Sequence, residues 1–187
     1  MRFILKKKVW LIVILALVSG AMFTVPLSYA KSAREIDASV DDSLDRFKRE
    51  VEGSSNLLAQ AKGVLVFPRV IKAGIGLGGE YGEGALRVGG KTIDYYNTIS
   101  GSFGFQLGAQ VKSVYLLFMN DQALRDFRYA DGWEAGVNGS VALVTLGASG
   151  SVDTTKTNQP IIGFVLGQKG LMYNLTLEGS KFNKLEK

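Results

Sequence analysis

The sequence predicts an α+β fold: an N-terminal amphipathic helix packed on a strongly curled, barrel-like antiparallel sheet, with one short inserted helix. Three observations carry this expectation. Ala33, Ile36, Val40, Leu44, Phe47 and Val51 recur every three or four residues, one apolar stripe on a helix of about five turns. From Gly63 onward the dominant period is two, the period of a strand with one buried face. Near residue 120 a single segment with a capping residue interrupts that alternation.

Gly53-Ser54-Ser55 stops the long helix, and Asn56 caps a shorter one carrying Leu57, Leu58 and Ala61, so that 31–62 is the helical part. Strands then fill most of 63–180. Val64–Phe67 is ended by Pro68, and Ile71–Tyr81 and Ala85–Val88 follow. Gly89-Gly90 supplies a hairpin turn before Lys91–Asn97. Phe103–Val111 and Val114–Met119 continue the sheet. Asn120 or Asp121 caps the inserted helix Gln122–Ala130, with Leu124 and Phe127 facing inward and Asp131-Gly132 ending it. Val137–Leu146, Ile161–Leu166 and the alternating Leu171–Glu178 finish the sheet, with Ser151–Pro160 a polar loop. The unbroken apolar runs Val64–Phe67 and Val114–Met119 imply a core covered on both faces.

One face of the strands lacks side chains. Gly74, Gly76, Gly78 and Glu80 alternate with Ile75, Leu77 and Tyr81, and Gly104 and Gly108 sit among Phe103, Phe105, Leu107 and Ala109. Gly79, Gly82 and Gly84 extend the glycine-rich tract. Glycine weakens a strand, so a row of them signals sharp coiling or close approach by another element.

Residues 1–30 read as a signal peptide: Arg2, Lys6, Lys7 and Lys8 precede the apolar run Val9–Phe23, and Ser28-Tyr29-Ala30 places small residues for cleavage after Ala30, with an uncleaved anchor as the alternative. The expected destination is export, to the periplasm, as one domain over 31–187. Most of the formal net charge of +5 belongs to the leader. Without its four basic residues the 22 become 18, against 17 acidic ones, about +1. Nucleic-acid binding loses its electrostatic basis.

Cysteine and histidine are both absent. That removes disulfides, Cys/His metal sites and the commonest general base together. No cofactor and no metal are expected, and catalysis would have to rest on carboxylates, lysine or hydroxyls. Gly74-Ile75-Gly76-Leu77-Gly78-Gly79 spells the dinucleotide fingerprint, but no helical stripe follows it, so a nucleotide is not expected. Glu80 with Glu83, and Asp131 with Glu134, read as solvated turn residues. Lys62, Arg69 and Lys72 bracket the first strand and are the candidate contacts to a lipid headgroup.

Taken in order, several blocks resemble the SYLF domain family, the lipid- or actin-binding domains that include Las17-binding actin regulators. They are Ala61-Lys62-Gly63-Val64-Leu65-Val66-Phe67-Pro68, Lys72-Ala73-Gly74, and Gly78-Gly79-Glu80-Tyr81-Gly82-Glu83-Gly84. Gly101–Gln110 leading to Leu116-Leu117-Phe118-Met119-Asn120, and Lys169-Gly170-Leu171 through Leu177-Glu178-Gly179, complete the likeness over about residues 50–180. The resemblance implies binding and no catalysis, with a lipid or membrane surface as partner. The expected function is therefore a non-catalytic, exported lipid- or envelope-binding protein. A small outer-membrane β-barrel or structural envelope protein is the alternative, and an enzyme is a distant third. The sequence names no protein partner.

Overall fold

The computed structural model describes residues 31–144, 158–167, 170–171 and 177–187. Helix α1 (Ala33–Glu50) begins with a capping box: the Ser32 hydroxyl accepts from the Glu35 N–H, and the Glu35 carboxylate accepts from the Ser32 N–H at 2.8 Å. Its buried stripe is Ile36, Val40, Ser43 and Phe47, the spacing the sequence predicts apart from Ser43. The Ser43 hydroxyl and the Tyr115 phenol lie 2.7 Å apart, so the polar position is satisfied within the core. Phe47 stacks on the Tyr115 ring at 4.5 Å and meets the edge of Phe164 at 4.9 Å. Asp37 accepts from the Thr92 hydroxyl at 2.6 Å and the Tyr95 phenol at 2.9 Å, pinning the same helix to the sheet. Helix α2 (Ser54–Gln60) is capped by Gly53, at φ +78° and with no side-chain bond; Asn56, the expected cap, lies inside the helix. A left-handed residue between two short helices calls for glycine there.

Two strands dominate the sheet. Strand β1 (Gly63–Val88) and strand β2 (Lys91–Phe118) form one antiparallel hairpin through Gly89 and Gly90, at φ +58° and +79°. The separate strands read from the sequence are limbs of these two. Pro68 does not end its strand: it sits in a register shift between Phe67 and Val70, where its missing N–H breaks no ladder bond, and its carbonyl accepts from the Ser113 hydroxyl at 2.8 Å.

Helix α3 (Asp121–Tyr129) follows, with the Asn120 side chain accepting from the Ala123 N–H at 2.8 Å. Strand β2 also pairs with β5 (Ile161–Gly167) and β7 (Lys181–Leu185), making it the centre of a seven-stranded sheet. Short strands β3 (Trp133–Glu134), β4 (Ala142–Leu143) and β6 (Gly170–Leu171) extend it. The β4–β5 pair is parallel, so the sheet is mixed rather than wholly antiparallel. The start of the predicted strand Val137–Leu146 is instead a turn: Asn138 caps the Glu134 N–H at 2.8 Å and Gly136 sits at φ +86°. Residues 1–30, most of the loop Ser151–Pro160 and most of the predicted strand Leu171–Glu178 lie outside the described residues.

The core has two layers, one on each face of the sheet. Val64, Val66, Tyr115, Leu117, Ile162 and Phe164 lie under α1. Leu65, Phe67, Val114, Leu116 and Phe118 face the concave side, where Phe127 of α3 meets Tyr96 and Phe118 at 4.9 Å and Trp133 at 5.6 Å. Burial on both faces explains the unbroken apolar runs, as expected.

The glycines let β1 fold onto itself. A Cβ on Gly82 would lie 2.9 Å from the Arg69 carbonyl oxygen, and one on Gly84 would run into the Val66 carbonyl. Backbone cannot yield as a side chain can. Gly84→Ala is therefore expected to destabilise by about 3 kcal/mol in urea unfolding. Gly101→Ala, where a Cβ meets nothing within 4 Å, should change stability by less than about 0.5 kcal/mol.

Tyr96 gives a second test. Burial, and then the charge of Asp94, push its phenol up to about 12 against an ordinary 10.0, with Arg128 opposing. The raised value means that the folded state holds this proton longer than the unfolded chain does. The contribution is complete below pH 10 and is lost as pH rises from 10 towards 12. Over that window the wild type should lose about 2 kcal/mol more than Tyr96→Phe, measured by chemical unfolding at successive pH values.

Candidate functional site

The strands fix two faces in the middle of the hairpin, midway between its turn at Gly89-Gly90 and its open end at Gly63 and Phe118. After the bulge at Pro68, Val70 lies on the concave side and Ile71 on the convex side, and the alternation runs on from there. Lys72 and Glu80 are eight residues apart, about 26 Å in a straight strand. Their head groups nevertheless approach to 3.9 Å. The strand between them must bend back, and Gly74, Gly76 and Gly78 occupy the intervening concave positions. Gly74 is paired with Gly108, Gly76 with Gly104 and Gly79 with Gly101 across the ladder, so glycine faces glycine on both strands at the bend. The backbone stays a strand throughout Gly74–Gly79, and no helix follows; the dinucleotide spelling has no phosphate-binding turn behind it.

Polarity here runs opposite to the expected sense. The alternation sorts Tyr81 and Glu80 to opposite faces, and the apolar set is ordinarily the buried one. The structure has Tyr81 47 % exposed and the Glu80 side chain only 13 % exposed. Ile71 (40 %) and Ile99 (47 %) share the convex face with Tyr81, Ile99 being its direct cross-strand partner. Lys72, Glu80, Thr98, Ser100, Gln110 and Lys112 hold the concave positions. The bend goes with the reversal: at Gly82 and Gly84 the concave side of β1 lies against the backbone of Val66–Val70, and beyond them the concave positions hold paired polar groups. Apolar side chains are then left on the outside.

The concave polar groups meet in one cluster. Lys112 Nζ lies 2.6 Å from Glu80 Oε2, and Lys72 Nζ lies 3.9 Å from Glu80 Oε1. Lys112 is 7 % exposed, so its charge is almost wholly withdrawn from water. Glu83, on the other face, accepts from the Tyr81 phenol at 2.8 Å and pairs with Lys187 at 3.3 Å. Glu80 and Glu83 are thus half- to fully buried strand residues, not solvated turn residues, and they point to opposite faces of one strand. They cannot act as a carboxylate pair. Asp131 is exposed as expected, whereas Glu134 is half-buried and pairs with Lys181 at 3.5 Å.

The three predicted headgroup contacts are not brought together. Lys62 is exposed just before β1, its N–H donating to the Phe118 carbonyl at 2.8 Å. Arg69 is exposed in the bulge, seven residues on, or about 23 Å along an extended strand. Lys72 is half-buried in the concave cluster. Ile71, Ile99 and Lys112 were not singled out from the sequence. The period-two pattern held the signal, since it sorts Ile71 from Lys72 and Val111 from Lys112, but it does not say which set faces inward.

Among the described residues no group of three or more Asp and Glu side chains is arranged to hold a metal ion, and no helix is long and apolar enough to cross a membrane. The family model described as Ysc84, Las17-binding protein actin regulator, matches residues 99–186. This segment is similar to the Ysc84 (SYLF) domain family. The match opens at Ile99 on the convex face and runs through the second limb of β2, α3 and the strands up to β7. The blocks at 61–84 that also carry the resemblance precede it. A search of curated proteins found no match. Ysc84 domains are in general binding modules without catalytic activity.

Proposed function

We propose that this protein is an exported, non-catalytic Ysc84 domain that binds a lipid surface of the cell envelope. In this reading residues 1–30 direct export and are removed after Ala30, and residues 31–187 act in the periplasm. The observation that carries the proposal is the uncovered convex row Ile71, Tyr81 and Ile99. It continues the sheet face that α1 covers elsewhere, so apolar surface runs out from beneath its helix into solvent. Tyr81 presents a ring with a polar tip, the residue type that settles at a bilayer interface. Arg69 stands exposed two residues from Ile71 and supplies a cation for an anionic headgroup. The polar face of α1 suits this arrangement poorly: Lys31–Glu52 holds five basic and seven acidic residues. The bend midway along the hairpin, and not the helix, is therefore the contact surface.

An outer-membrane barrel is supported less well. A lipid-facing wall would be apolar outside and polar inside, as this part of the hairpin is. Over the rest of the sheet the outer face lies beneath α1 and the inner face holds aromatic side chains.

Co-sedimentation of Lys31–Lys187 with vesicles tests the proposal. Burying an isoleucine and a tyrosine contributes roughly 1.5–3 kcal/mol each. The double change Tyr81→Ser with Ile99→Ser should therefore lower vesicle affinity at least tenfold. Arg69→Glu should weaken binding to anionic vesicles several-fold while leaving neutral ones unaffected. Binding that is absent in the wild type, or untouched by the double change, would end this reading.

A further inference from the structure

We propose that the concave cluster Lys72, Glu80 and Lys112 is a binding site for a single oxyanion, a phosphate or phosphate ester. The site lies on the opposite side of the strands from Tyr81 and Ile99, and it does not depend on the membrane reading. Its basis is a charge imbalance at close range. Two ammonium groups converge on one carboxylate, Lys112 at 2.6 Å and Lys72 at 3.9 Å. Among the described residues one positive charge is left over, that of Lys72, beside a Lys112 side chain only 8 % exposed and a Glu80 side chain 13 % exposed. Withdrawing an unbalanced charge from water is unfavourable, and a structural ion pair needs one lysine, not two. A bound monoanion restores neutrality.

The surroundings suit an anion with several acceptor oxygens. Ser100 is the ladder partner of Glu80, and Gln110 is the partner of Lys72, so a hydroxyl and an amide flank the two charges on the same face. Lys72 is the most open member, its side chain 28 % exposed, and Gln110 is exposed beside it. An anion enters from that side, meets Lys72 first, and shares Lys112 with Glu80. Glu80 plays a double part: it holds Lys112 in position when the site is free, and it competes with the anion for the same ammonium group. The shared chemistry admits two sources, free phosphate and the phosphodiester of a lipid headgroup.

The test compares the whole chain with Lys72→Gln and Glu80→Gln, neither of which removes the buried Lys112. Melting temperature is recorded in 10 mM inorganic phosphate (about this concentration) and in chloride of matched ionic strength. The wild type should melt a few degrees higher in phosphate. Lys72→Gln should lose most of that difference, and Glu80→Gln should bind phosphate several-fold more tightly by calorimetry because the competitor is gone. A parallel arm measures binding to phosphatidylcholine vesicles with and without phosphatidylglycerol. A response to phosphate alone identifies a soluble anion as ligand, and a response that needs phosphatidylglycerol and follows Lys72 and Glu80 identifies the headgroup. No preference for phosphate or for phosphatidylglycerol, or equal weakening by Lys72→Gln and Glu80→Gln, would overturn the proposal and leave an ion cluster with a structural role only. Loss of vesicle binding in Tyr81→Ser with the phosphate response intact would separate this site from the convex surface.

Discussion

The fold rests on the contact that β1 makes with itself. A strand of 26 residues would extend far beyond a domain of this size if it ran straight. It does not, because Gly82 and Gly84 let its second limb lie directly against the backbone of Val66–Val70. Everything else is arranged around that bend. Strand β2 follows it through three register shifts, β5 and β7 attach to the two limbs of β2, and α3 closes the interior with Phe127. The glycine tract is thus a device for backbone-to-backbone packing at Gly82 and Gly84, where the docking element is the strand's own beginning.

The same bend sets the distribution of polarity. Near α1 the sheet is apolar on both faces and buried on both. Toward the bend the concave positions pass to glycine and to the ion-paired Lys72, Glu80 and Lys112. The convex residues keep their apolar character but lose the helix that covered them. One geometric cause therefore yields two candidate surfaces, an apolar row outside and a charged cluster inside. That both fall on one hairpin is a consequence of its curvature.

Much of the architecture could be read directly from the residues. The stripe from Ile36 to Phe47 located α1, Gly89-Gly90 located the hairpin turn, and Asn120 located the cap of α3, because these depend on local geometry and short-range bonds. Pro68 misled, since a proline that ends a strand and one that occupies a bulge have the same neighbours in sequence. The parallel placement of β4 beside β5 was also beyond reach, because strand pairing is decided by packing between distant segments. Of the candidate contacts, Lys72 proved to be part of a cluster only when Glu80 and Lys112 were brought round to it.

The amino-acid sequence by itself determined the class of fold, the positions of the helices, the periodicity of the strands and the thin vocabulary available for catalysis. All of these follow from neighbours a few residues apart or from composition. The tertiary structure alone decided which face of the hairpin points inward. Alternation divides residues into two sets without labelling either as interior. Only the folding of β1 onto its own backbone shows that the glycine and charged set is enclosed, and that Ile71, Tyr81 and Ile99 remain in the open.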